Sequence, residues 1–271
     1  MTVVGKPPFD PSATMKPSIR EVPADEVLAL RTRQREMAGC QIVHDSIHRR
    51  EGWTRTFLIE VAGNPVGFAE VAIAGPWTGK PTVFEFHLLP EFACRVFELF
   101  ERFLRVTGVR FFEAQTNCGP LGVLAHTYGL GITSERILFR DGMTTTLPAN
   151  GAVLRPLTDD AEIQTALERR RGGGEWRLEV DGIEVGKGGI LFHYNRPYGD
   201  IHMDVSEPYR RRGLGSFLVQ ELKRRCWELG AVPCARCNPS NVASFRTLQK
   251  AGFVPCGQIL VGGFPESGSV D

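Results

Sequence analysis

"SEPYRRRGLGSFLVQELKRR", residues 206–225, sets three arginines and two closely spaced glycines where an amphipathic helix begins. Glycine in a helix costs about 0.5–1 kcal/mol against alanine, and Arg210, Arg211 and Arg212 repel one another. Downstream, Leu214, Phe217, Leu218, Leu222, Cys226 and Leu229 recur at helical spacing and predict one buried stripe. Upstream, Ile201, Met203 and Val205 alternate with His202, Asp204 and Ser206, the period of a strand with one apolar and one polar face. The stretch therefore reads strand, glycine turn, helix. The first N–H groups of a helix lack intrahelical partners and sit at the positive end of its dipole. Glycines let that backbone close on a ligand, and arginines add charge-assisted hydrogen bonds, so the junction suits a phosphate or diphosphate. A solvated basic helix start with turn glycines is the competing reading. There is no GxxxxGK[ST] motif of a P-loop. A dinucleotide-binding turn would want a third glycine where Leu218 stands.

The chain repeats itself around this junction. "EVAGNPVGFAEV" from Glu60 and "EVDGIEVGKGGI" from Glu179 share their spacing of glutamate, valine and turn glycine, and each predicts a β-hairpin preceded by a tryptophan, Trp53 or Trp176. "FEFHLLPE" from Phe84 parallels "IHMDVSEP" from Ile201, and a long helix follows each, ending near Gly108 or Gly230. A short strand ending in asparagine comes next, "FFEAQTN" or "PCARCN", and then a second helix closing in "TYGL" or "KAGF". Five matches in register predict an α/β (α+β) fold of two like units, each a twisted mixed β-sheet flanked by helices. The expected division is a flexible tail over 1–17, a first unit over 18–150 and a second over 151–271. The first copy runs from Phe84 to Thr107 without a glycine, so the phosphate-type loop belongs to the second copy alone.

Bulk composition bounds the function classes. The 271 residues are 42% hydrophobic and 23% charged with a formal net charge of +1, which speaks against a global nucleic-acid or membrane field. No apolar run approaches the roughly 18 residues of a membrane span, and the first residues lack a secretory signal. Seven scattered cysteines fit reduced thiols in the cytoplasm better than a disulfide framework. Cys234 and Cys237 form a lone CxxC without a second ligand pair, so no metal site is expected and a buried strand is the plainer reading. "ERRRGGGEWR", residues 168–177, reads as a solvated helix end and loop, and no nucleic-acid partner is expected.

Arg210-x-x-Gly213-x-Gly215 after a strand resembles the acetyl-CoA signature of the GCN5-related N-acetyltransferases (GNAT). "NVASFRTLQKAGF", Asn241 to Phe253, resembles that family's next motif. The clear match covers about Glu179 to Leu260, so the chain looks like a tandem acetyltransferase with a degenerate N-terminal copy. The resemblance implies that the amides of Arg211, Arg212, Gly213, Leu214, Gly215 and Ser216 cradle the diphosphate of coenzyme A. It implies that Val205 pairs its backbone with the pantetheine arm and lends an N–H to the thioester oxygen. Asn241 and Ser244 would face the pantetheine or adenine side, with Arg246 or Lys250 near the outer phosphate. The family often places a tyrosine where this sequence has Leu248, which leaves a dedicated general acid without a candidate there.

The implied reaction is direct attack of a primary amine on the acetyl thioester in a ternary complex, with the active site in the second copy. An ammonium must first lose a proton. Asp204 and His202 lie on the polar face of the strand and are the candidate catalytic bases, with Asp200 and Glu207 at its ends. Tyr194, Tyr209 and His87 read better as structural. The acceptor would be a small-molecule or protein amine, and the first copy could serve dimerisation, giving a homodimer, or substrate recruitment. The alternative function, motivated by Leu248, is a catalytically silent coenzyme-A-binding sensor or scaffold.

Overall fold

The computed structural model describes residues 16–149 and 151–265. Most of the expected tail, residues 1–15, and the expected boundary residue Asn150 lie outside the described residues. Pro17 already opens a strand.

The first copy comprises β1 (Pro17–Val22), α1 (Leu28–Met37), the hairpin β2 (Thr54–Val61) and β3 (Asn64–Ala72), β4 (Thr82–Leu88), α2 (Val96–Thr107), β5 (Phe111–Gln115), α3 (Leu121–Tyr128) and β6 (Leu130–Asp141). The second comprises β7 (Ala152–Pro156), α4 (Asp160–Arg169), the hairpin β8 (Gly173–Val180) and β9 (Ile183–Leu191), β10 (Tyr198–Val205), α5 (Leu214–Glu228), β11 (Val232–Cys237), α6 (Val242–Lys250) and β12 (Phe253–Gly263). The two hairpins, the two long helices and the paired short strands thus occur in the order that the repeat predicts.

The copies share one mixed sheet of twelve strands, in the order β1-β2-β3-β4-β5-β12-β6-β11-β10-β9-β8-β7. The final strands are exchanged. β12 lies between β5 and β6 of the first copy, and β6 lies between β12 and β11 of the second. Each copy therefore completes the other's sheet, and the chain cannot be parted at residue 150 without leaving β5 and β11 short of a neighbour.

Two apolar clusters fill the copies. Leu99, Phe100 and Phe103 of α2 pack with Phe57, Phe86 and Phe112 in the first. Leu214, Phe217, Leu218, Leu222 and Cys226 of α5 pack with Trp176, Leu178, Val185 and Ile201 in the second, which is the stripe read from sequence.

The arginine–glycine run at 168–177 differs from its expectation. Arg170 is buried, and its guanidinium donates to the carbonyl oxygens of Tyr194 (2.9 Å) and Asn195 (3.2 Å), and also to that of Tyr198. Burial first, then the charges of Arg196 and Arg49, lowers its pKa to about 10. Gly173 and Gly174 begin β8 instead of forming a loop. A Cβ on Gly173 would fall 2.1 Å from the Ile190 carbonyl oxygen, so only glycine lets these strands approach.

Candidate cofactor cleft and the parted strands

Strand β10 pairs with β11 in parallel over Tyr198–Asp200 only, against Val232–Cys234. Past Asp200 the two strands separate. On its other edge β10 stays paired with β9 through Val205, and Ser206 N–H still donates to Val185 O at 2.9 Å. That bond fixes the alternation of an antiparallel ladder, in which Asp204 exchanges hydrogen bonds with Lys187 of β9. The backbone groups of Met203 and Val205 consequently face the gap left by β11.

At the mouth of this gap a cleft of about 900 Å³ runs between the end of β10, the first turn of α5 and one face of α6. Gly213 takes φ +83° and Arg211 φ +64°, the left-handed region that bends the chain sharply into α5. No side chain caps this helix, whereas α4 is capped by Asp159 and α6 by Asn241. The first intrahelical bond from this turn is Phe217 N–H to Gly213 O at 3.1 Å, so the N–H groups of Leu214, Gly215 and Ser216 have no partner within the helix. A Cβ on Gly215 would lie 3.3 Å from Thr247 Cγ2, 3.7 Å from Val205 Cγ2 and 3.8 Å from Met203 Cε, so a larger residue would fill the cleft floor. This cradle of bare amides fits a diphosphate.

The three arginines divide their work. Arg210 Nε donates to Val205 O at 2.7 Å and its terminal nitrogen lies 3.4 Å from Asp204 Oδ1, so it braces the strand end. Arg212 lies over the Tyr209 ring, 5.2 Å from its centroid. Arg211 has no ion pair among the described residues and lines the cleft. Gly213, Gly215, Ser216, Asn241, Ser244, Arg246 and Lys250 line it as well, while the Leu214 side chain is buried in the core. Asn241 Oδ1 accepts the Ser244 N–H at 3.0 Å, a helix cap, which leaves its amide N–H group for a ligand.

The two candidate bases stand apart. Asp204 lines the cleft with its side chain 77% exposed, tethered to Arg210. His202 lies outside the cleft lining, its Nε2 3.1 Å from Glu175 Oε1 with both side chains 43% exposed. Glu207 lines the cleft. Asp200 is buried instead of ending a solvated strand; its Oδ2 accepts from Tyr194 Oη at 2.8 Å and lies 3.1 Å from His193 Nε2. Burial, with the Asp200 charge, raises the Tyr194 hydroxyl pKa well above its ordinary value, so this tyrosine is structural. Leu248 is 4% exposed and belongs to the core.

The same positions in the first copy are filled. Leu88 pairs with Gly67 as Val205 pairs with Gly186, so His87 corresponds to Asp204 and Glu85 to His202. Glu85 is buried and held by Arg35 at 2.7 Å and His48 at 3.1 Å, while Arg35 also holds Asp45 at 2.8 Å. Arg31 pairs with the buried Glu70. Burial pushes the Glu85 carboxyl up, but Arg35 and His48 hold it far below the usual carboxylate range. Beside His87 and Cys118 a void of about 20 Å³ remains. Sequence reading found the missing glycine loop but not this ion network, whose members come from α1, the segment after it, β3 and β4.

Residues 145–253 match the family described as Acetyltransferase (GNAT) family. No curated protein matches the chain in sequence. Among solved structures, an acetyltransferase of the GNAT family from Colwellia psychrerythraea aligns with TM-score 0.70 at 16% identity, over 92% of this chain and 100% of that one. A tandem GNAT protein from the clavulanic acid biosynthesis pathway, without AcCoA, aligns with TM-score 0.60 at 14% identity, over 94% of this chain and 100% of that one. A GCN5-related N-acetyltransferase from Sphaerobacter thermophilus aligns with TM-score 0.55 at 15% identity, over 93% and 97%. The chain therefore has the fold of GNAT acetyltransferases in a tandem arrangement, with a GNAT domain over residues 145–253.

Proposed function

We propose that this tandem GNAT fold is an acetyl-CoA-dependent N-acetyltransferase, active in its second copy on a primary amine. The observation that carries the reading is the uncapped first turn of α5, bent at Gly213 and opening on a cleft of about 900 Å³ beside parted strands. The N–H groups from Arg211 to Ser216 would hold the diphosphate, with Arg211 adding charge. The pantetheine arm would run along the backbone edge that Met203 and the Val205 N–H present to the gap, the Val205 carbonyl oxygen being already held by Arg210.

Acetyl-CoA supplies an acetyl thioester and a thiol leaving group. The chain orients the acceptor against it and aims the Val205 N–H at the carbonyl oxygen, where charge develops. Asp204, solvated and close to the gap, takes the ammonium proton directly or through water. The new C–N bond replaces the C–S bond. With Leu248 in the core, the departing thiolate takes its proton from solvent, which a thiol with pKa near about 8.5 permits at neutral pH. Seven thiols, all free, suit a reducing compartment such as the cytoplasm.

Burial of Leu248 also favours a second reading, a coenzyme-A-binding module without turnover. Incubating the full chain with acetyl-CoA, a panel of amines and a thiol-detecting reagent separates the two. Amine-dependent thiol release supports the enzyme. Saturable binding without release across the panel supports the silent module.

A further inference from the structure

A second cavity, of about 730 Å³, lies between the copies and is lined by neither the glycine turn nor α6. Its second-copy wall includes His193 and Arg236. Both reach Asp200 Oδ2, at 3.1 and 3.7 Å. Asp200 shares its face of β10 with His202 and Asp204, the face turned away from α5. Cys234 is the register partner of Asp200, so Arg236 stands level with His202 across the parted strands. Arg236 thus stands both on the cavity wall and on the far side of the gap whose front receives the cofactor in the reading above.

The first-copy wall has a different character. Trp53 and Trp77 meet edge to face with centroids 6.4 Å apart, and Phe111 continues the surface. The Arg50 guanidinium lies 4.5 Å from the Trp53 ring centroid, and Lys80 Nζ lies 4.6 Å from that of Phe111. Neither cation has an acidic partner within ion-pair distance among the described residues. The acids of the cavity are already engaged. Glu113 accepts from Trp77 Nε1 at 2.9 Å and sits 2.7 Å from His44 Nε2, and Glu135 pairs with Arg136 at 3.2 Å. Among the described residues Arg50 and Lys80 are therefore cations without a carboxylate partner, and both sit beside flat aromatic surface. That combination recognises an anion attached to a planar group.

We propose that this cavity holds the acetyl acceptor, and that the acceptor is an amine carrying both an aromatic ring and a carboxylate. The ring lies against Trp53 and Trp77, the carboxylate meets Arg50 and Lys80, and the amine extends to the gap flanked by Arg236 and His202. Part of the degenerate copy thereby becomes the specificity wall of the active one. The inference rests on the acetyltransferase reading for its chemistry, although the binding it requires does not.

The test compares phenylalanine with phenylalaninamide, alike but for the carboxylate, as acceptors for the full chain with acetyl-CoA. Each KM is expressed per free amine, because the carboxylate also raises the pKa of the amine. Titration with the product N-acetylphenylalanine, followed by tryptophan fluorescence and calorimetry, reads the cavity without turnover. The expected result is at least a tenfold lower KM for phenylalanine than for the amide. In Arg50→Ala, and in Lys80→Gln alone, that preference shrinks about tenfold, N-acetylphenylalanine binding weakens alike, and acetyl-CoA affinity is unchanged. If acetyl-CoA binds but the amide serves equally well and N-acetylphenylalanine leaves the fluorescence and heat unchanged, the cavity assignment is overturned while the acetyltransferase reading stands. If acetyl-CoA itself does not bind, that reading falls, and the N-acetylphenylalanine titration still decides for or against the cavity.

Discussion

The Nε of Arg210 donates to the carbonyl oxygen of Val205 at 2.7 Å, so the first arginine of the basic run clamps the end of β10 five residues before it. The strand end and the glycine turn are therefore one unit, and the neighbouring Arg211 is left at φ +64°. A left-handed conformation costs a non-glycine residue about 1–2 kcal/mol. Such strain beside an open cleft is understandable if the Arg211 side chain serves a ligand.

Two substitutions separate clamp from contact. Arg211→Gly removes the strain and the charge together, so the melting temperature should hold or rise while acetyl-CoA binds more weakly. Arg210→Ala should weaken binding about tenfold, an effect of about 1.5 kcal/mol, the lower end for a hydrogen bond made by a charged group, and should blunt its salt dependence less than Arg211→Gly does. Calorimetry at two ionic strengths with parallel thermal melts reads both outcomes. Equal losses of stability and affinity in Arg211→Gly would speak against a ligand-directed role.

The first copy's face is closed by a buried ion network, and removing a single partner exposes its cost. Arg35→Leu leaves Glu85 buried without its principal cation. Stranding such a charge destabilises by about 3–5 kcal/mol. The expected result is a large fall in the midpoint of urea unfolding, relieved in part by the double substitution Arg35→Leu with Glu85→Gln. A small change in the single variant would show the network to be incidental.

His87 gives the fold a pH response with a defined window. Burial, opposed by Glu85 and assisted by the charges of Arg35 and Arg33, lowers its pKa from 6.5 to about 4. Between those values the unfolded chain binds the proton and the folded chain does not, so stability falls as pH drops through the window. Allowing for partial exposure, the loss amounts to up to about 2 kcal/mol at its acid end. Glu85, with its pKa depressed, loses its contribution only at lower pH, below the usual carboxylate value of 4.5. His87→Leu should flatten the decline in melting temperature between pH 6.5 and 4 relative to the parent chain. Parallel curves over that range would assign the decline elsewhere.

What could be read from the sequence, and what could not, follows from range. The hairpins, the α5 stripe and the glycine turn are written in neighbours a few residues apart, where period and turn chemistry act. The exchange of β6 and β12 is not, because β5 and β11 each present an edge that either strand can satisfy and no local pattern selects between them. Arg170 makes the same point at one residue. Its sequence context is a basic run before glycines, yet its guanidinium satisfies carbonyl oxygens more than twenty residues away. The cavity between the copies gathers Arg50, Trp77, Lys80 and Arg236 from separate segments of both copies, so no motif spacing could announce it.

Calorimetric titration of the full chain with acetyl-CoA, run beside Gly215→Val, bears most directly on the central claim. The account predicts saturable binding near one equivalent by the parent chain. It predicts at least a tenfold loss in Gly215→Val at a retained thermal melt, since the added side chain would press on Thr247 and occupy the cleft floor. No heat with the parent chain, or undiminished binding by Gly215→Val, would contradict it.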